Sequence, residues 1–128
     1  MRVRTASVAT TPDIVVVEFI DPTAVRPGFD ELGQLVDNGE LRLLDLEFIH
    51  SIDGVASTVP AGRVDKDFDR FEHDLAGLLD RLELDAVAAD LPHRTTAAAL
   101  LAEGDSLDQV IAAWESGGAR VSRRSSAA

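Results

Sequence analysis

The spacing of apolar positions changes several times along the chain, and each change predicts a new element. The run DIVVVEFI (13–20) is apolar and mostly β-branched, which is typical of a strand covered on both faces of a sheet. The segment DPTAVRPG predicts a turn, and a short helix is expected over 27–38. The buried stripe of this helix is predicted to be Phe29, Leu32, Leu35 and Val36.

Residues 41–52, LRLLDLEFIHSI, predict a second strand, Asp53-Gly54 a tight hairpin turn, and VASTV (55–59) a short returning arm. Side chains alternate between the two faces of a strand. One face is predicted to carry Leu43, Asp45, Glu47 and Ile49, and the other Arg42, Leu44, Leu46, Phe48 and His50. In an unbulged strand the two acids cannot meet the histidine, which disfavours a carboxylate–histidine metal site within this stretch.

The middle of the chain is predicted to be helical. Apolar residues recur every three or four positions over 66–82, which predicts one long amphipathic helix, and a shorter helix is expected over 84–91, before Pro92. The buried face of the long helix is predicted to be Phe68, Phe71, Leu75, Leu78, Leu79 and Leu82.

The segment TTAAALLAE (95–103) is rich in helix-forming residues. We nevertheless predict a strand, because turn-like segments bracket it and a well-marked helix start follows. Ser106 is expected to cap a helix that begins at Leu107 and ends at Gly117-Gly118. A last short strand is predicted over 119–123.

This order of elements predicts an α+β fold, a ferredoxin-like sandwich in which a helical insertion separates two β-α-β units. The sheet would be four-stranded and mainly antiparallel. The helices of the two units would cover one face, and the other face stays open unless the insertion or another subunit covers it. We predict one domain over 13–124, a flexible N-terminal arm over 1–12 and a C-terminal tail over 125–128.

Composition and charge narrow the class of protein. The chain of 128 residues contains no cysteine, which excludes disulfides and cysteine-based zinc sites. The net charge is −11, and the segment from Asp13 to Glu115 holds all 23 acids but only seven basic residues, so no nucleic-acid partner is expected. No apolar run reaches the roughly 20 residues of a membrane span. We expect a cytoplasmic protein.

Three carboxylates form one candidate site. If the first two strands lie close together in the sheet, Glu18, Asp45 and Glu47 could form a cluster on its open face and bind Ca²⁺ or Mg²⁺. The alternative is that they are solvated charges or rim residues of a subunit interface.

The loop DLPHRTT forms a second candidate site. His93 and Arg94 lie beside two threonines, where they could hold a small anion or supply a general base. A plain loop is the alternative. No catalytic residue and no cofactor is predicted, and the chain lacks nucleophile-elbow, P-loop and Rossmann motifs.

Three stretches carry a family resemblance, namely DIVVVEF, FDELGQLVDNGELRLLDLEFIHSIDG and AAALLAEGDSLDQVIAAWESGGARVSR. Together they resemble an actinobacterial domain-of-unknown-function family, over roughly residues 13–123. More distantly, the chain is similar to predicted membrane proteins and general-stress proteins of unknown function. The apolar insert of those membrane relatives is replaced here by the charged segment 66–82. The resemblance implies a ferredoxin-like fold and no activity, substrate or cofactor.

These patterns predict a small non-enzymatic protein, structural or regulatory and including a stress-related role, that acts by self-association or by binding a protein partner. The uncovered sheet face favours a homodimer or higher homo-oligomer. The alternative is a small-molecule- or haem-binding, or catalytic, ferredoxin-like protein. Its pocket would be lined by Trp114, Phe19 or Phe48, with His50 or His93 pointing inward.

Overall fold

The computed structural model describes residues 13–19, 22–74 and 77–125. The elements are β1 (Asp13–Phe19), α1 (Pro22–Asp37), β2 (Arg42–Ile52), β3 (Val55–Val59), α2 (Ala61–Val64), a 3₁₀ helix (Lys66–Asp74), α3 (Arg81–Ala89), β4 (Thr96–Glu103), α4 (Leu107–Ser116) and β5 (Arg120–Ser125). The strands form one antiparallel sheet in the order β3-β2-β4-β1-β5. The predicted α+β class is therefore confirmed.

The predicted strand count of four is wrong, because the returning arm of the hairpin joins the sheet. β3 pairs with β2 along its whole length and becomes an edge strand. Asp53 and Gly54 have φ angles of 52° and 78°. Two successive left-handed residues are what a type I′ turn requires, and its twist matches that of the two strands it joins.

The alanine-rich segment 95–103 does form a strand, β4, as predicted. It pairs with β1 on one side and with β2 on the other, and Ala97–Ala102 are all buried. The helix propensity of alanine and leucine differs from that of other residues by only some tenths of a kcal/mol, so pairing on both sides outweighs it.

Both faces of the sheet are covered. On the face that we call the major face, α1, α4 and the 3₁₀ helix pack against the sheet around Val15, Val17, Leu46, Phe48, Leu100, Phe29, Phe68, Phe71 and Trp114. On the opposite minor face, the segment around α3 supplies Leu79, Leu84, Val87 and Ala88, which pack on Ile14, Val16, Ile49, Ala97, Ala99 and Leu101. Of the two covers considered for this face, the inserted helix is therefore the one found.

The predicted long helix over 66–82 is wrong. A 3₁₀ helix occupies the first half of this segment. Gly77, which has a left-handed φ of 73°, lies between that helix and the start of α3. Asp80 caps α3, its side chain accepting a hydrogen bond from the Glu83 N–H at 2.8 Å. The second helix, expected over 84–91, accordingly begins three residues earlier, at Arg81.

The physical reason is that the predicted apolar stripe of 66–82 does not pack on one surface. Leu78 and Leu82 are exposed, contrary to the prediction, and Leu75 lies outside the described residues. Phe68 and Phe71 are buried in the major-face core, whereas Leu79 is buried in the minor-face core. One straight helix buries a single stripe against a single surface, so the chain has to break between these residues.

The turn predicted over DPTAVRPG is also wrong, because α1 begins at Pro22 and continues through Pro27. Proline inside a helix removes one backbone hydrogen bond. The extension is held by tertiary contacts, since Val25 is buried and its carbonyl accepts a hydrogen bond from the Trp114 indole at 3.0 Å.

The predicted arm over 1–12 and the last three residues of the predicted tail lie outside the described residues. The first residue of that tail, Ser125, belongs to β5. Among the described residues, none of the helices has the length and hydropathy needed to cross a membrane.

Candidate functional site

Asp45, a candidate metal ligand, is fully buried in β2. Its Oδ1 accepts a hydrogen bond from the Leu46 N–H at 2.9 Å, and its Oδ2 accepts one from the Leu79 N–H at 2.7 Å. Leu79 precedes α3, so the carboxylate joins the inserted segment to the sheet. Buried carboxylates are stable when donors satisfy them in this way.

A β-bulge beside Asp45 changes part of the predicted strand parity. Leu43 pairs with Ala102, whereas the next paired residue is Asp45, opposite Leu101, so Leu44 is the extra residue. Leu43 therefore packs with the major face and Leu44 with the minor face, the reverse of the prediction. Beyond the bulge, the predicted alternation holds.

Glu18 and Glu47 lie on the minor face, but the structure does not bring them together. They are opposite Ala97 and Ala99 of β4, so a whole strand and a two-residue offset separate them. Glu18 Oε1 is 3.9 Å from Arg120 Nη1. Within the described part of the chain, no group of three or more histidine, aspartate or glutamate side chains is placed to hold a metal ion.

Trp114 is a core residue. Its side chain is fully buried, and its Nε1 donates to the Val25 carbonyl. Phe29 packs against the indole with ring centroids 5.0 Å apart, and Gly28 leaves the space that the indole fills. Phe48 is also fully buried. Neither side chain lines a surface that a ligand could reach.

His93 and Arg94 lie beside the β2–β3 turn. The Asp53 N–H donates to His93 Nδ1 at 3.1 Å, and Arg94 Nε lies 3.2 Å from His93 Nε2. A neutral imidazole has one acceptor nitrogen, so only one of these two hydrogen bonds forms at a time. All three residues are exposed, and these contacts hold the loop against the turn rather than enclose a ligand.

His50 belongs to the last row of side chains at one end of the major face. Phe19, Thr96, His50 and Ser57 are paired in register across β1, β4, β2 and β3. His50 Nδ1 is 3.1 Å from the Thr96 hydroxyl, and His50 is half-buried. This places the histidine away from Asp45 and Glu47, on the opposite face.

A cavity of about 240 Å³ opens at this row, between the end of the sheet and α2. Phe19, Val59, Arg63, Val64 and Thr96 line it. Phe19 is a pocket residue expected from the sequence, whereas Arg63 and Thr96 are not among the predicted ones. No local sequence pattern predicts that Arg63 and Thr96 line a common cavity, because they belong to α2 and β4, which are distant in sequence and meet only in the folded chain.

A larger cavity of about 520 Å³ lies at the opposite end of the sheet, and four of its six charged lining residues are acidic. Four of the six are already paired, since Arg123 Nε is 2.6 Å from Asp13 Oδ2 and Arg42 Nη1 is 3.1 Å from Glu103 Oε1. The hydrogen bonds that Arg123 donates to Asp13 and to Asp108 raise its pKa above the ordinary value.

Four large apolar side chains are exposed in the described residues, and all belong to the β2–β3 hairpin or to the start of the α3 segment. They are Ile52, Val55, Leu78 and Leu82, with exposed fractions of 46, 48, 55 and 80%. Asp85, three residues after Leu82 on α3, reaches the Ala56 N–H of β3 at 2.9 Å. We call these four side chains the edge patch.

The sequence matches no protein-family model, no curated protein and no solved structure.

Proposed function

We propose that the protein is a non-enzymatic module that self-associates through the edge patch. The observation that supports this is that the exposed large apolar side chains of the described residues, Ile52, Val55, Leu78 and Leu82, belong to the β2–β3 hairpin and to the α3 segment, which contacts the hairpin through Asp85. Clustered exposed apolar side chains are typical of interaction surfaces. The sequence suggested self-association through a sheet face that was expected to be uncovered. Because α3 covers that face, the proposed interface lies at the edge of the sheet instead.

The two edges of the sheet differ in a way that supports this choice. β5 carries Arg120, Arg123 and Arg124, and charged side chains protect an edge strand from pairing. β3, VASTV, carries no charge and no proline. The β3 edge therefore lacks the charges that guard β5.

The interface is proposed to form through side chains rather than through continuous pairing of β3 with another strand. The hydrogen bond from the Ala56 N–H to Asp85 occupies one of the few backbone donors that this short edge can offer. Apolar packing of Val55 and Leu82 then supplies the stabilisation, at roughly 25 cal/mol per Å² buried.

The proposed occupant is a second copy of the chain. In a two-fold dimer the patch faces itself, so apolar side chains meet apolar side chains. Arg81 and Asp85 lie next to the patch, 3.3 Å apart within one copy. A two-fold arrangement lets Arg81 of each copy face the acid of the other, which offsets the repulsion between two acidic chains.

We further propose that β5, β1, β4 and β2 with α1 and α4 form a ferredoxin-like sandwich, to which β3 is added. The antiparallel order of these four strands and the packing of both helices on the major face support the assignment. The resemblance to the domain-of-unknown-function family agrees with it and remains a prediction.

Size-exclusion chromatography with light scattering tests the proposal. Wild type is expected to show the mass of a dimer at high micromolar concentration, and the double variant Val55→Lys, Leu82→Lys that of a monomer. Gln34→Lys, on the exposed side of α1, is the matched control and stays dimeric. A monomeric wild type, or a double variant that remains dimeric, would refute the proposal.

A further inference from the structure

We propose that the cavity beside α2 binds a small carboxylic acid with a compact apolar body. This inference is independent of the self-association proposed above. It rests on the chemistry of the cavity walls, the ion-pair partners of the arginines and the hydrogen bonding of Thr96.

The walls of the cavity are apolar on one side and cationic on the other. Phe19, Val59 and Val64 supply hydrocarbon surface, and Phe19 is held by edge-on contacts with two other phenylalanines, at 6.0 Å between ring centroids. Arg63 supplies the guanidinium. Such a combination, mostly apolar with a few polar groups at fixed positions, is typical of small-molecule sites.

Arg63 differs from most arginines of the chain in its partners. Seven arginines have a carboxylate oxygen within 4.0 Å, namely Arg26, Arg42, Arg70, Arg81, Arg120, Arg123 and Arg124. Among the described residues, Arg63 has none. The chain has almost twice as many acidic as basic residues, so most guanidinium groups have a carboxylate nearby. The guanidinium of Arg63 can instead bind the carboxylate of a ligand through two parallel hydrogen bonds.

Thr96 supplies a second donor. If His50 Nδ1 carries a proton, it donates to Thr96 Oγ1 across the observed 3.1 Å, which leaves the hydroxyl proton of Thr96 free to point into the cavity. In that tautomer, His50 acts as a positioning residue behind the cavity wall. Arg63 and Thr96 would bind the carboxylate from two sides, while Phe19 contacts the apolar body.

The volume of the cavity limits the size of the ligand that it can hold. About 240 Å³ is below the roughly 300–1,000 Å³ of sites for drug-sized molecules, so a haem does not fit. A single ring or a short branched chain bearing one carboxylate does. The ligand proposed for this cavity is therefore smaller than the haem named among the sequence-based alternatives.

The test is an NMR titration of the full ¹⁵N-labelled chain with benzoate and with benzamide, which has the same ring but no charge. Benzoate is expected to shift the backbone amides of Val59, Val64 and Thr96 saturably. Benzamide should bind about tenfold more weakly, the low end for losing a hydrogen bond to a charged group. Equal affinities, or shifts elsewhere only, would overturn the proposal.

Two variants locate the site. Arg63→Gln is expected to weaken benzoate binding about tenfold and to leave benzamide binding unchanged. Arg42→Gln, which removes the same charge from an exposed side chain at the other end of β2, is the control and binds as wild type. If both variants weaken benzoate equally, net charge explains the effect and the assignment of Arg63 is wrong.

Filling the cavity tests the apolar wall. Val64→Phe should abolish binding of both ligands, with a dispersed amide spectrum showing that the fold is retained. Inorganic phosphate at the same concentration should not reproduce the shifts of benzoate. Benzoate binding at wild-type affinity in Val64→Phe, or phosphate binding as tight as that of benzoate, would contradict the proposal.

Discussion

The carboxylate of Asp45 on β2 accepts a hydrogen bond from the backbone N–H of Leu79 at 2.7 Å, although 34 residues separate them in sequence. Asp45 is fully buried, and Leu79 begins the segment that covers the minor face. An acid that resembles a metal ligand in sequence therefore fastens the helical insertion to the sheet.

Asp45→Ala is expected to lower the free energy of unfolding by about 2 kcal/mol, because it leaves the buried Leu79 N–H without an acceptor. Urea denaturation followed by circular dichroism measures this change. Asp30→Ala, at an exposed position of α1, removes the same charge and should change stability by less than about 0.5 kcal/mol. Equal effects of the two substitutions would show that Asp45 acts only through net charge.

Gly28→Ala is expected to destabilise the protein, although alanine is the better helix former. The methyl group gains about 0.5–1 kcal/mol from helix propensity, but it would overlap the buried indole of Trp114, and overpacking costs about 1–3 kcal/mol. Thermal unfolding should show a lower midpoint for this variant.

Gly33→Ala is the matched control on the same helix. There the three atoms nearest to the added methyl group all belong to the end of the flexible Arg70 side chain, which can move aside. We expect this variant to be as stable as wild type or slightly more stable. A Gly28→Ala protein as stable as Gly33→Ala would mean that the indole is free to shift.

Asp85→Ala should change the mode of self-association, from side-chain packing of a two-fold dimer to strand pairing through the β3 edge. Removal of the carboxylate frees the outward N–H of Ala56, and an unprotected edge strand can pair with another copy. Light scattering over a concentration series should therefore show species larger than the wild-type oligomer. An unchanged mass distribution would indicate that the β3 edge is blocked by something other than Asp85.

Arg123→Met should lower stability by less than about 1 kcal/mol, because this arginine is partly exposed and water screens its ion pairs. The pKa of Arg123 is raised by Asp13 and Asp108, so its contribution is complete below the unfolded pKa and is lost only as pH rises through the still higher folded pKa. Arginine thus stays charged between about pH 6 and 9.

The difference in unfolding free energy between wild type and Arg123→Met should therefore be constant across that pH window and smaller in 1 M salt. Urea titrations at several pH values measure it. A difference that disappears as pH rises towards 9 would contradict the assignment of the effect to the arginine charge.

Local patterns were sufficient for several elements. The β-branched run of β1, the Asp53-Gly54 turn and the start of a helix at Leu107 all follow from short-range geometry and are found as predicted. The predicted cap is wrong, because the Ser106 side chain makes no capping hydrogen bond. The strand alternation of β2 beyond its bulge likewise places His50 and Asp45 on opposite faces of the sheet, as the sequence pattern predicts.

The sequence by itself thus determined the class of fold, most strands and the placement of Asp45 and His50 on opposite faces of the sheet. Tertiary structure decided how the stripe of 66–82 divides and which residues line the cavity. Periodicity shows that Phe68 and Leu79 avoid water, but both faces of a sheet are apolar, so only packing decides which face buries each. The cavity joins Phe19, Arg63 and Thr96 from three distant segments, because strand pairing places Phe19 beside Thr96 and the packing of α2 brings Arg63 to them.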